Sequence, residues 1–196
     1  SDTTEAVKEA LAEGIFIVAA AGNIDSEQNS SDVSSPASLP GVIAVGAHGK
    51  SGDPWKDSAR GSLVDPETGE NRTFPDQKPE IVAPGVDLWS CIDSERDPPY
   101  AFSTGTSDST VMVTGALALI IAIHGEQIAG DDGEIDEQEM RLVKVALANS
   151  AKKTAGQVQT HDQKSGYGLL DAIEWSEQVQ KEFGLGTETT DSPDAK

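Results

Sequence analysis

Two positions in this chain of 196 set a polar side chain beside a glycine at the edge of an apolar run, and they lie far apart in sequence. Ser107 stands in Ser103-Thr-Gly-Thr-Ser-Asp-Ser109, at the entry to a long apolar run. A serine at a glycine-flanked junction between loop and helix exposes its hydroxyl and sits at the positive end of the helix dipole, where developing negative charge is stabilised. The same position suits a plain Ser or Thr N-cap, and Gly-Thr-Ser alone does not separate the two readings. The second residue is Asn23, placed after Gly22 where the run Gly14-Ile-Phe-Ile-Val-Ala-Ala-Ala21 stops. By itself a carboxamide there reads as closing a Gly-Asn turn after a strand.

The elements that must position these groups are legible from periodicity. Thr3 to Glu13 places Ala6, Val7, Ala10 and Leu11 at helical spacing, with Gly14 as C-cap. Residues 14–21 lack polar alternation and read as a strand covered on both faces of a parallel sheet. Ile24 to Ser35 is polar loop, followed by a short strand Val42-Ile-Ala-Val-Gly46. Lys50 to Gln77 is dense in turn residues and reads as a long surface excursion. Glu80-Ile-Val-Ala83 and Val86 to Ile92 give two more strands. A helix from about Gly105 to Ile123 is apolar nearly all round, which predicts that it crosses the interior. Asp136-Glu-Gln-Glu139 forms a capping box for a helix through Ala148. Gly166 to Ala172, a short helix to about Phe183, and a polar, acidic tail predicted to be disordered complete the chain. Residues 1–183 thus read as one domain and 184–196 as its tail.

Composition narrows the partners. With 34 Asp+Glu against 14 Lys+Arg the formal charge is -20, which makes nucleic acid a poor partner. Such charge suits either a high-salt setting, where it is screened, or an ordinary acidic protein with an acidic tail. Val111 to Ile123 falls short of the roughly 20 residues that span a bilayer, so no membrane partner is expected. No basic stretch followed by an apolar one opens the sequence. Cys91, the only cysteine, permits no internal disulfide and reads as a small core side chain.

Four segments, taken in order, resemble the subtilisin-like serine peptidases. They are Ala19-Ala-Ala-Gly-Asn23, Ser35-Pro36 with Val42-Ile-Ala-Val-Gly-Ala47, Val82-Ala-Pro-Gly85, and Gly105-Thr-Ser107. The closing Gly166-Tyr-Gly-Leu-Leu-Asp-Ala172 is similar to the family's ending. The resemblance covers about Thr3 to Ala172. It implies an α/β fold: the C-terminal half of a three-layer domain with a mainly parallel sheet flanked by helices. It further implies that Ser107 is the acyl-forming nucleophile and that the Asn23 carboxamide, with the Ser107 N–H, forms the oxyanion hole. Ala19, Ala20, Ala21, Gly22 and Thr106 would then border a polypeptide substrate, and secretion would suit the family.

Two departures follow. The family usually places a bulky apolar residue and then Ala after the serine, whereas this chain has Asp108 and Ser109. Asp108 either favours the helix N-terminus or intrudes where substrate lies. The family also places the catalytic acid and base N-terminal to every segment quoted, so they must come from an additional segment in cis or in trans. His48, His124 and His161 read as surface histidines; His124 lies almost five turns along the helix of Ser107, about 25 Å at ~1.5 Å per residue. No cofactor is expected. Asp131 to Glu139 does not form a calcium loop, because the first ligand position falls on Ile128 and the third on Gly130. Calcium is left with Glu80, which in some relatives binds a weak cation but reads here as an exposed charge. The alternative to a peptidase is a non-catalytic relative serving as a structural or peptide-interaction module.

Overall fold

The computed structural model describes residues 2–24, 32–66 and 68–185. In chain order the elements are α1 (Asp2–Ala12), β1 (Val18–Ala20), β2 (Ile43–His48), β3 (Ile81–Pro84), β4 (Leu88–Cys91), β5 (Tyr100–Ser103), α2 (Thr106–Ile128), α3 (Glu137–Ser150) and α4 (Ala172–Glu182). Strands β1, β2 and β3 form a parallel sheet in that order, with Ala19 beside Ala44 and Val45 beside Ile81. Alternation along the strands sorts side chains to its two faces. Ile43, Val45, Ile81 and Ala83 join Val113, Leu147 and Trp175 in one core, under α2, α3 and α4. Ala19, Ala21, Val42 and Ala44 join Val7 of α1 in the other. This is the predicted three-layer α/β arrangement, a parallel sheet between helices.

Local signals are realised where the chemistry is specific. Gly14 takes φ +72° and closes α1, with Ile15 N–H bonded to Ala10 O at 3.0 Å. The Asp136 capping box forms in both directions and starts α3. The run from Gly14 pairs with β2 only over Val18–Ala20, so the strand is shorter than predicted.

Four expectations need correction. First, the segment after β4 turns back as β5, making an antiparallel hairpin on which Trp89, Tyr100 and Phe102 interlock, Trp89 stacking on Tyr100 with centroids 6.1 Å apart. Cys91 lies in this hairpin and is exposed, not core. Second, residues 50–77 are not a pure surface excursion: Ser58 and Ala59 are buried beside Asn23. Third, α2 has 23 residues, long and apolar enough by length and composition alone to cross a membrane, yet it packs on the sheet through Val113, Leu117 and Ile120. Fourth, its other face is uncovered: Val111, Leu119 and Ile123 are 64%, 65% and 62% exposed, forming with Gly115 a stripe at i, i+4 spacing. The predicted tail lies outside the described residues from 186 onward.

Candidate active site

The site forms where the end of β1, the segment 57–59 and the start of α2 meet. Gly22 turns the chain after β1 at φ +114°, a conformation that other residues rarely adopt, and delivers Asn23. Ile24 N–H bonds Asp57 O at 2.7 Å and Ala59 N–H bonds Gly22 O at 2.8 Å, clasping Asn23 from both sides. Ser58 Oγ in turn accepts Ala47 N–H at 3.1 Å, fixing that segment to β2. At the other side, Gly105 N–H bonds Gly85 O at 2.8 Å. Ser109 Oγ donates to Ala83 O at 3.0 Å, so the first turn of α2 is pinned to β3.

The two sides are joined by Thr106. Its N–H and its hydroxyl both donate to Asn23 Oδ1, at 3.0 and 2.9 Å, while its Oγ accepts Gly22 N–H at 3.2 Å. With Oδ1 held by two donors, the carboxamide presents Nδ2 to the cleft. A methyl built on Gly105 would stand 3.4 Å from Asn23 Nδ2, 3.5 Å from Asp108 Oδ2 and 3.8 Å from Ser107 N. These groups therefore border one small space, kept open by the absence of a side chain at 105. Ser107 itself is exposed on the first turn of α2. An oxygen acquiring negative charge in that space would meet two N–H donors and the helix dipole.

Asp108, half-buried, accepts from Ser103 Oγ at 2.9 Å. Among the described residues no Lys, Arg or His forms an ion pair with it.

The other predicted site residues divide. Ala20 and Gly22 are partly exposed, but the Ala19 and Ala21 side chains belong to the core under α1, leaving only their backbone to line a cleft. Thr106 is 1% exposed, so its side chain acts as a brace and not as a contact surface. The histidines are not the surface residues expected: His124 is buried and bonded to Ser176 Oγ at 2.9 Å, His161 is buried against Pro79 O at 2.9 Å, and half-buried His48 Nδ1 meets Gly49 O at 2.7 Å. Burial holds the His161 imidazole below its ordinary range.

Glu80 is likewise not an exposed charge. It is 2% exposed, and its Oε1 accepts from Lys78 Nζ at 2.7 Å and Lys144 Nζ at 2.8 Å. Its Oε2 takes the Ala44 N–H at 2.8 Å. Both ammonium groups also donate to Val42 O, and Lys144 reaches Asp76 at 2.5 Å. Burial, with repulsion from Lys144, pulls the Lys78 amine down to about 8 despite its pairing with Glu80. Burial also opposes charge on Lys144, but Glu80 and Asp76 outweigh it and raise that amine. Two ammonium groups and the Ala44 N–H thus hold the oxygens that calcium would need, and the residues present do not fit a metal there. The sequence signal for this cluster was the Lys78-Pro-Glu80 spacing, which alone does not reveal that Lys144 joins it.

Residues 1–168 match the subtilase family of S8 peptidases, and the chain belongs to that family. Subtilisin amylosacchariticus of Bacillus subtilis subsp. amylosacchariticus is 36% identical over 118 residues, 60% of this chain and 26% of the relative. The intracellular serine protease of Paenibacillus polymyxa is 34% identical over 153 residues, 76% of this chain and 40% of the relative. The prenylagaramide maturation protease PagA superposes with a TM-score of 0.65 at 26% identity, covering 89% of this chain and 54% of that structure. The chain therefore spans about half, or less, of the length of these relatives.

Proposed function

We propose that this chain forms the nucleophile-bearing part of a subtilisin-type serine endopeptidase that cleaves peptide bonds through an ester to Ser107. The observation that carries this reading is the orientation of Asn23, whose Oδ1 is occupied by Thr106 while Nδ2 borders the same space as Ser107 N. When Ser107 Oγ attacks a peptide carbonyl, the carbonyl oxygen becomes an anion between those two N–H groups. Because both donors are already fixed, stabilisation requires no reorganisation during the reaction. Polypeptide substrate would run beside β1, past Ala20 and Gly22. The relatives' own description as proteases supports the same assignment.

A serine hydroxyl also needs a base, oriented by a carboxylate. His48, His124 and His161 are each hydrogen-bonded elsewhere. We assign base and acid to polypeptide additional to these 196 residues, in the same or a separate chain. The uncovered stripe of α2 gives that polypeptide an apolar docking face on the nucleophile's own helix. Without it, oxyanion binding alone leaves activity at roughly 10³–10⁴ over water.

Asp108 favours a second reading, a non-catalytic peptide-binding module, because a carboxylate beside the site opposes an anionic intermediate. A fluorophosphonate probe separates the two. The full-length protein is expected to be labelled at Ser107, and Ser107→Ala to be unlabelled. A natively folded full-length protein that resists the probe is not a serine peptidase.

A further inference from the structure

Asp108 is a half-buried carboxylate with one neutral partner, Ser103, and no ion pair among the described residues. Its Oδ2 borders the space shared by Asn23 Nδ2 and Ser107 N. These groups reach that space from different elements, Asn23 from the end of β1 and Asp108 from the first turn of α2. Asn23 arrives from β1, whose outer side is where the acyl part of a substrate would lie under the reading above. Asp108 is tied by Ser103 to the end of β5, on the hairpin side. With the acyl part beside β1 under that reading, the part of a peptide that follows the scissile bond would run toward the hairpin and Asp108. A carboxylate there has no ion-pair partner among the described residues and lowers the energy of a cation brought by the substrate.

We infer that Asp108 is a specificity-determining residue, selecting polypeptides with Lys or Arg immediately after the scissile bond and rejecting Asp or Glu there. The Ser103 hydroxyl is its positioning partner, holding Oδ2 toward the cleft. The same cationic group offsets the repulsion that Asp108 would exert on the anionic intermediate, so the substrate completes the electrostatics of the site. This rests on the endopeptidase reading for its direction, acyl side against leaving side, and it does not require turnover to be tested.

The experiment uses full-length protein and peptides identical except for Lys, Ala or Glu after the scissile bond. For the wild type, kcat/KM is expected to favour Lys over Glu by on the order of tenfold, the combined effect of one partly exposed attraction and one partly exposed repulsion. The preference should shrink as salt is raised. In Asp108→Asn the ratio should fall to within about twofold, with Ser103→Ala between the two. A wild-type ratio near one, or an unchanged ratio in Asp108→Asn, overturns the inference. A uniform shift of the pH profile in Asp108→Asn, with no charge preference lost, overturns it too. The same peptides are also titrated onto Ser107→Ala by fluorescence anisotropy. Equal affinities, or no binding, reject the role of Asp108. Retained Lys preference in binding without any turnover in wild type leaves this inference standing and rejects the peptidase reading alone. Circular dichroism and thermal melting of each variant separate loss of recognition from loss of fold.

Discussion

A carboxamide can turn either end toward a bound oxygen, and only its N–H end favours an anion. Thr106 decides the matter here by placing two donors on Asn23 Oδ1. Replacing it by valine keeps the backbone donor but removes the hydroxyl, and leaves Gly22 N–H without its acceptor. We expect Thr106→Val to lower kcat roughly tenfold with KM nearly unchanged, and to cost about 1–3 kcal/mol of stability, measured by steady-state kinetics and urea unfolding. Asn23→Ala should cost roughly 10²–10³ in kcat, the loss known for a side-chain oxyanion donor in a subtilisin. An unchanged kcat in Asn23→Ala would remove it from the chemistry. The places of Asn23 and Ser107 in the fold were legible in the sequence, because Asn23 follows an apolar run at Gly22 and Ser107 opens one after Gly105. The brace was not: the resemblance implies that Thr106 borders substrate, and its hold on Asn23 appears only when the fold brings Gly22 and Asn23 to it. Ser109 was read only as a departure from the family, yet its hydroxyl pins α2 to β3.

Among the elements, α3 is coupled to the sheet through charge as well as packing. Glu80 stands between Lys78 and Lys144, and Val42 O receives both amines, so β2, the approach to β3, and α3 share one buried cluster. Removing one partner from a buried cluster leaves the others uncompensated. Glu80→Ala should destabilise by about 3–5 kcal/mol in chemical unfolding. Lys78→Met should be close to neutral or stabilising, because the most strongly desolvated charge is removed while Lys144 still satisfies Glu80. The pH dependence follows from the Lys78 amine, at about 8 when folded against 10.5 ordinarily. Between those values the unfolded chain binds more protons, so Lys78 makes stability rise with pH there. Lys78→Met should remove that rise; the raised amine of Lys144 acts oppositely, its contribution disappearing only as pH climbs above its ordinary range. Helices and parallel strands were readable from period and caps. The return strand β5 was hidden because charged residues and Pro98-Pro99 precede it, and its partner is set by cross-strand aromatic contacts that a linear scan does not register. The apolar surface of α2 signalled burial, but composition cannot say which neighbour buries each face.

At the scale of the whole molecule, a charge of -20 and an uncovered apolar stripe on α2 act against each other. Mutual repulsion between copies is long-ranged at low ionic strength and is confined to about 3 Å near 1 M salt. The 196-residue chain alone should therefore sediment as a monomer at low salt and self-associate near 1 M, and Leu119→Lys should suppress the association. Monomeric behaviour at every salt concentration would show that the stripe is not adhesive. The same stripe has a practical corollary. If base and acid come from a separate polypeptide that docks on this stripe, as proposed, the two pieces form the halves of a two-component switch. Fusing this chain and a base-bearing piece to proteins that meet only on command would turn their encounter into bond cleavage.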